Sequence, residues 1–498
     1  MCLRATYKLK DFIADCKDAF QATRVDDGNL KTEKLYCEQA PGFEERDEHG
    51  VKKVCEILVA MQGRTDAARL FGQRLEQLLT AAGGRRSVWD PKIYFFHNGP
   101  LKDTDAPLEE VIDACNDALE QCSGRLKQGE PPPGWAMIAT HVDDVPGVAT
   151  STTMIEYILG AIRVVYACEM VPWRKVLGFK VTVDDKEGTV SMSCEAVIET
   201  MFRTYLKGQL TYDAKLPMRD VELEAGEVPP VGDPERAPYL QMQTETRSLL
   251  GLLIWVTVAY PQISFATNKG CGFMANPSWS VNAFAKHIAL HLYQYPVAVK
   301  WGGNKNIKSL VLAEPTIKPF TVGAKEYGLH FAADAAPSNT AKGISGGVGM
   351  LNGGAIDTIS SRQHLASSDM HKAEITAAAT VMHRVVPARG LLQEARVPQE
   401  RATPIWIDSA STIFVATNRS APKKSTWVRR KTEELNECYE QGESDPQKID
   451  ECDNFADPQT KYLVGKVWAR HLHYTHNLEG EPPPVAAKSS KKIKPDDE

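Results

Sequence analysis

The chain has 498 residues, 43% hydrophobic and 24% charged, a balance that excludes a wholly disordered or collagen-like polymer and leaves room for several cores. Its formal net charge of −6 rules out a globally basic nucleic-acid binder, so any grip on phosphates must come from local Lys and Arg clusters. Eleven cysteines are scattered with no Cys-x-x-Cys pair and no Cys/His cluster at zinc spacing, which speaks against a zinc site and a disulfide framework and fits a reducing compartment.

Along the chain, residues 1–208 alternate short strand-like and helix-like runs. In 51–82, Leu58, Met61, Leu70, Leu75 and Leu78 are spaced for buried helix faces. An acidic, helix-like segment at 106–128 and a Pro131-Pro132-Pro133 break precede an apolar run at 135–140, which reads as a strand. Asp143-Asp144 then read as a tight turn and 145–149 as a returning strand. The Pro- and Glu-rich stretch 217–238 has linker chemistry, because Pro fixes the backbone while the charges stay solvated. A mainly helical segment follows. Its run 248–260 is the strongest apolar stretch, stops at Pro261 short of a bilayer span, and reads as a buried helix. From Gly328 alternation returns, and the tail 479–498 lacks the apolar residues to order itself. The N-terminus has no apolar signal core, so we expect a soluble intracellular protein, cytoplasmic or nuclear, with no membrane partner.

Acidic residues fall into two ordered sets. The first is Asp15, with Asp143 and Asp144 far downstream; the second is Asp334, Glu374, Asp408 and Asp457. Carboxylates gathered in this way can hold pairs of divalent cations for phosphoryl chemistry, since hard oxygen ligands suit magnesium. Val-Asp-Asp occurs three times, at 25–27, 142–144 and 183–185, and only the second is flanked on both sides by apolar strand-like runs. The others read as a polar loop and a hairpin turn. In the second set, alternation from Leu329 leads to Asp334 at a strand end, Glu374 starts a helix, Asp408 closes a strand at 404–407, and Asp457 precedes Pro458 as a ligand or an N-cap. Asp369 competes with Glu374, and Asp450 and Asp453 with Asp457. Lys305, Lys308, Lys318 and the run Lys423, Lys424, Arg429, Arg430, Lys431 are candidate phosphate patches or solvated faces.

Ten stretches in order then resemble the reverse transcriptase and ribonuclease H portion of a copia-type LTR retrotransposon polyprotein, over about residues 8–478. They are DCKDAF with Asp15, KLYCEQAPGF at 34–43, MQGRTDAARLF at 61–71, SVWDPKIYF at 87–95, HVDD at 141–144, KVLGFKVTV at 175–183, TRSLLGLLIWVTVAYPQI at 246–263, SSRQHLASSDMHKAEITA at 360–377, IWIDSAST at 405–412 and FADPQTKYL at 455–463.

The resemblance implies an α+β reverse transcriptase palm with partial fingers at 1–208, a linker and helical thumb or connection at 209–320, an α/β ribonuclease H-like domain at 321–478 and a disordered tail at 479–498. It also implies RNA-directed DNA synthesis on a template-primer from deoxynucleotide triphosphates, and cleavage of RNA in RNA–DNA hybrids, with two Mg2+ per active site. Asp15, Asp143 and Asp144 would serve the first activity and Asp334, Glu374, Asp408 and Asp457 the second. Phe20 stands at the family's aromatic gate, and Gln62 and Gly63 at its nucleotide pocket. Departures are a nearly missing fingers segment before Asp15, Thr65, Asp66 and Ala68 where the family has Lys, Gln and Pro, and His141 where it has Tyr. They imply an impaired polymerase. The competing expectation is an inactive element relic or a domesticated nucleic-acid-binding protein.

Overall fold

The computed structural model describes residues 1–25, 36–61, 63, 65–99, 106–122, 131–303, 328–336, 342–364, 369–419 and 426–478. Gln62, Lys305, Lys308, Lys318, Lys423, Lys424 and the 479–498 tail lie outside the described residues. The chain parts into two compact units: Tyr7–Leu177 with Gln393–Val397, and Met1–Thr6 with Gly178–Leu392 and the chain from Pro398 onward.

The first unit is built on an antiparallel sheet of β1 (Lys10–Cys16), β2 (Arg85–Arg86), β3 (Ile93–Asn98), β4 (Gly134–Ala139), β5 (Asp144–Ala149) and β6 (Cys168–Val171), in the spatial order β2-β3-β4-β5-β1-β6. Successive strand residues face opposite sides. Phe12, Ala14 and Cys16 therefore join Val145 and Ala149 in one core with Leu75 and Leu79 of α1 (Ala67–Ala81) and Ile155, Ile158, Leu159 and Ile162 of α3 (Thr152–Arg163), while Asp15 faces the other way. The close fit of this face needs Gly147, where a Cβ would lie 2.6 Å from Ile138 Cγ2 and 2.7 Å from Phe12 Cζ. α2 (Leu108–Cys122) supplies the helix expected in the acidic segment and buries Leu108, Val111 and Cys115.

One expectation fails here. Among the described residues between 51 and 66 there is no helix: Val54–Glu56 pairs with Tyr36–Glu38 in a two-stranded ribbon, and Leu58 and Met61 are exposed. The helix starts only at Ala67, after Asp66, so Leu70 and Leu75 are buried as read, Leu78 is half-buried, and Leu58 and Met61 are not buried.

The second unit begins with antiparallel β7 (Phe179–Asp184), β8 (Thr189–Ser193) and β9 (Lys300–Gly302), the first two joined by the hairpin turn read at Asp184-Asp185. Four helices follow the first two strands: α4 (Glu195–Tyr205), α5 (Arg236–Val256), α6 (Ser264–Cys271) and α7 (Trp279–Gln294). α5 is only partly buried. Leu249, Leu250 and Leu253 face the core, whereas Ile254, Trp255 and Val258 just past its end are exposed, which corrects the reading of 248–260 as a buried helix.

The rest is a five-stranded sheet of β10 (His330–Ala336), β11 (Ile344–Leu351), β12 (Gly354–Arg362), β13 (Thr403–Ile407) and β14 (Ser444–Lys448), in the order β12-β11-β10-β13-β14. The first three pair antiparallel and the last two join in parallel. Parallel neighbours need long crossover connections, and here helices supply them. They are α8 (Met370–Glu394), α9 (Ala410–Thr417) and α10 (Thr426–Glu440), and α11 (Gly465–His476) closes the described chain. Small residues let α8 approach the sheet: Ala373 and Ala377 touch Ala335, and Gly347 leaves room for Val381. Arg429 and Arg430 pair with Glu433 and Glu434 one turn on along α10, the behaviour of a solvated helix face. No helix among the described residues is long and apolar enough to cross a membrane.

Candidate metal centres

In the second unit, Asp334 lies inside β10 rather than at its end, because the strand continues through Ala335 and Ala336. Glu374 stands in the second turn of α8, and Asp408 follows the last residue of β13. β10 and β13 are parallel neighbours, with Ala333 opposite Ile407, so each delivers its carboxylate at the same end of the sheet. Immediately after Asp408, the Ser409 hydroxyl accepts from the Thr412 N–H and caps α9, which fixes where the strand turns away. Ligand atoms of Asp334, Glu374 and Asp408 all lie within 4.8 Å of one another. Among the described residues this is the one such group of three.

Burial sharpens the electrostatics. Asp334 is fully buried and Glu374 only 5% exposed, and the Glu374 Oε2 atom has no hydrogen-bond partner. Burial, then the neighbouring Asp334 and Asp408 charges, push the Glu374 carboxyl up to about 9. Burial raises Asp334 as well, against the pull of Lys461 and Thr460. Confined carboxylates repel unless a cation lies among them.

Asp457 is placed differently. It begins a short 3-10 turn, Asp457–Gln459, with Ala456 rather than Asp457 at the cap position. Its Oδ1 accepts from Lys461 Nζ at 3.1 Å, and the same ammonium reaches Asp334 Oδ1 at 3.1 Å, so Asp457 meets the cluster through a lysine. Burial and then Asp334 raise Asp457 to about 8, while Lys461 opposes the rise. Burial lowers the Lys461 ammonium, but Asp334 and Asp457 outweigh it and the net shift is upward. The other oxygen of Asp334 accepts from the Thr460 hydroxyl. Of the rival acids, Asp453 is buried against Arg470, and Asp369 accepts from the His371 N–H at the start of α8.

Sequence reading missed Lys461 and Thr460. The one local signal was the four-residue spacing of Asp457 and Lys461, which brings side chains together on a turn.

In the first unit, β4 and β5 are joined by a two-residue turn closed by reciprocal bonds between His141 and Asp144, at 2.9 and 3.0 Å. Val142 sits there at φ 51°, a left-handed conformation that costs a β-branched side chain energy. Asp15 on β1 stands opposite Asp144, and the Cys16 N–H donates to the Asp143 carbonyl at 3.4 Å. The three acids of the first set are thus neighbours at one sheet end. Asp15 and Asp143 are exposed and Asp144 half-buried, and Asp144 is raised by burial, then by Asp143 and Asp15. Phe20, on the turn after β1, is half-buried and meets Phe71 edge-on at 6.3 Å, as a core aromatic does. Gly63 is exposed at φ 91° with open space where a Cβ would stand.

No protein-family model matches the chain, and no curated protein matches it. Among solved structures it is similar to the foamy viral protease-reverse transcriptase dRH in complex with double-stranded DNA, at 11% identity over 88% of this chain and 56% of that chain, with a TM-score of 0.42. The foamy viral protease-reverse transcriptase in complex with RNA/DNA hybrid is similar at 11% identity over 88% of this chain and 44% of that chain, TM-score 0.42. The same enzyme in complex with double-stranded DNA matches at 12% identity over 89% and 68%, TM-score 0.41. The chain spans about half the length of the first two of these proteins.

Proposed function

We propose that the chain is the reverse transcriptase and ribonuclease H portion of a copia-type retroelement polyprotein, with modules divided near residues 208 and 320, and that its second unit cleaves RNA in RNA–DNA hybrids. The observation that carries this reading is the cluster of Asp334, Glu374 and Asp408, buried at one sheet end with one Glu374 oxygen unpartnered. Hard, closely spaced oxygen donors suit Mg2+, and these three residues would hold it. A cation bound there supplies charge for a reacting phosphate and acidifies water.

The protein's own groups prepare the site. Thr460 and Lys461 fix the two oxygens of Asp334, the Ser409 cap sets the exit from Asp408, and α8 keeps Glu374 out of water. Selection of the hybrid would rest on its shape and its 2′-hydroxyls rather than base identity.

For the first unit we assign Asp15, Asp143 and Asp144 to a Mg2+-dependent polymerase centre acting on a template-primer and deoxynucleotide triphosphates, with Phe20, Gln62 and Gly63 as its nucleotide contacts. The meeting of Asp15 with the strained Asp143-Asp144 turn supports this assignment.

Purified chain with Mg2+ and a hybrid labelled on the RNA strand is expected to cut that strand. Because loss of mere supporting groups around a metal costs about 10–100-fold, Asp408→Asn should lower the rate about 100-fold or more. An unchanged rate in Asp408→Asn contradicts the assignment; hybrid binding without any turnover favours a nucleic-acid-binding relic.

A further inference from the structure

A cation already stands in the second unit's acidic cluster. Lys461 Nζ lies 3.1 Å from Asp334 Oδ1 and 3.1 Å from Asp457 Oδ1, between the carboxylate at the centre of the cluster and the fourth acid of the set. An ammonium offers three N–H donors and no acceptor. Two are spent on these carboxylates.

The position of Lys461 is built rather than incidental. Its own N–H donates to the Asp457 carbonyl at 2.9 Å, Gln459 and Thr460 beside it are buried, and the Gln459 carbonyl accepts from Ser360 on β12 at 2.8 Å. Upstream, Asn454 Nδ2 donates to the Ala333 carbonyl, one residue before Asp334, at 3.1 Å. The whole turn rests on β11 at Gly346, directly opposite Asp334 in the sheet. A Cβ at Gly346 would lie 2.4 Å from Thr460 Cγ2, 3.0 Å from Gln459 Cβ and 3.2 Å from the Ala456 carbonyl oxygen, so the missing side chain is what lets the lysine's turn come this close.

On the other side of Asp334 the environment is the reverse. Glu374 Oε2 is buried with no partner, and the ammonium nearest Asp408, that of Lys448, donates to its backbone carbonyl rather than to its carboxylate. The cluster has a side filled by a fixed ammonium and a side with an orphaned oxygen.

We propose that Lys461 is a resident cation of this centre, replacing one of the two Mg2+ expected from the sequence, so that the second unit takes a single divalent cation at Asp334, Glu374 and Asp408. The proposal rests on the reading of these three acids as a cation site. Lys461 acts as a positioning residue toward Asp334 and Asp457, and its third N–H remains for a phosphate oxygen of the hybrid. A univalent, covalently attached charge offsets one of the two negative charges of Asp334 and Asp457 at any Mg2+ concentration, which a dissociable second ion does not.

The test counts ions. In the full chain carrying Asp15→Asn, Asp143→Asn and Asp144→Asn, so that only the second unit is counted, Mn2+ is titrated by calorimetry and free Mn2+ is followed by electron paramagnetic resonance. One bound Mn2+ is expected, lost on adding Asp408→Asn, rising to two in Lys461→Met and staying at one in Lys461→Arg. Two ions with Lys461 intact would overturn the proposal while leaving the cation-site reading in place, and this count needs no lysine variant to fold. A cooperatively melting Lys461→Met that still binds one ion would also overturn it. A count untouched by Asp408→Asn would remove the cation site itself, and the proposal with it.

Discussion

At residue scale, both acidic centres depend on backbone positions that tolerate few side chains. Val142 occupies the turn that presents Asp143, at φ 51°. A left-handed conformation costs an L-residue about 1–2 kcal/mol, and glycine returns part of that gain as lost chain entropy, about 0.5–1 kcal/mol. Val142→Gly should therefore stabilise the first unit by a few tenths to about 1 kcal/mol, read as a higher urea midpoint; a lower midpoint would show that the valine side chain contributes packing the turn needs. Gly346 is the opposite case, since a methyl there meets Thr460 and Gln459 inside van der Waals distance. Overpacking of this kind costs about 1–3 kcal/mol, and Gly346→Ala should show it in urea unfolding. A stability equal to the parent's would mean that the 456–460 turn moves away freely.

At the scale of single elements, α11 sets an acid limit on the second unit. His471 and His476 are fully buried on this helix, and His330 on β10 is buried too. Burial lowers all three, His330 to about 4 and His471 and His476 to about 3. Unfolded histidine titrates near 6.5, so between about pH 6.5 and 4 the unfolded chain binds more protons at these three sites than the folded one, and their contribution to stability rises with pH. It is fully present above 6.5 and drains away on acidification, by at most about 1.4 kcal/mol per pH unit for each histidine. Glu374 and Asp457 work the other way, since their raised carboxyls keep protons in the folded chain that the unfolded chain has released, so the histidine share is read as a difference between parent and variant from pH 7 to pH 5. Neither ring nitrogen of His471 has a hydrogen-bond partner, so His471→Leu is expected to keep stability at pH 7 and to gain on the parent as pH falls. A difference between variant and parent that stays constant from pH 7 to pH 5 would contradict the assignment to His471.

Several elements could be read from the sequence because local chemistry announces them. The apolar runs on either side of Asp143-Asp144 give β4, the turn and β5, and the alternation from Leu329 gives β10. The helical reading of 51–66 fails because apolar spacing runs on across a break that it cannot sense, with Gly63 at φ 91° and Asp66 before the true helix start. On α5 the apolar residues lie all round, and only tertiary packing decides that Leu253 is covered while Trp255 stays 44% exposed. At the candidate site, the acids were visible as a set, yet Lys461 was not. Its partner Asp334 lies 127 positions away, and no local pattern connects them.

At the scale of the whole molecule, each compact unit carries one acidic set, Asp15, Asp143 and Asp144 in the first and Asp334, Glu374, Asp408 and Asp457 in the second. With a net charge of −6, neither unit gathers these carboxylates for general charge balance; each gathering adds repulsion that a bound cation would relieve. The second centre is the more closed of the two, with Asp334 and Glu374 removed from water, and it bears the reading of the chain as a cation-dependent nuclease. Crystals of the full chain grown with Mn2+ would decide the point through anomalous scattering. A peak among Asp334, Glu374 and Asp408 that vanishes in Asp408→Asn is expected; a well-ordered second unit with no peak at those three side chains would contradict it.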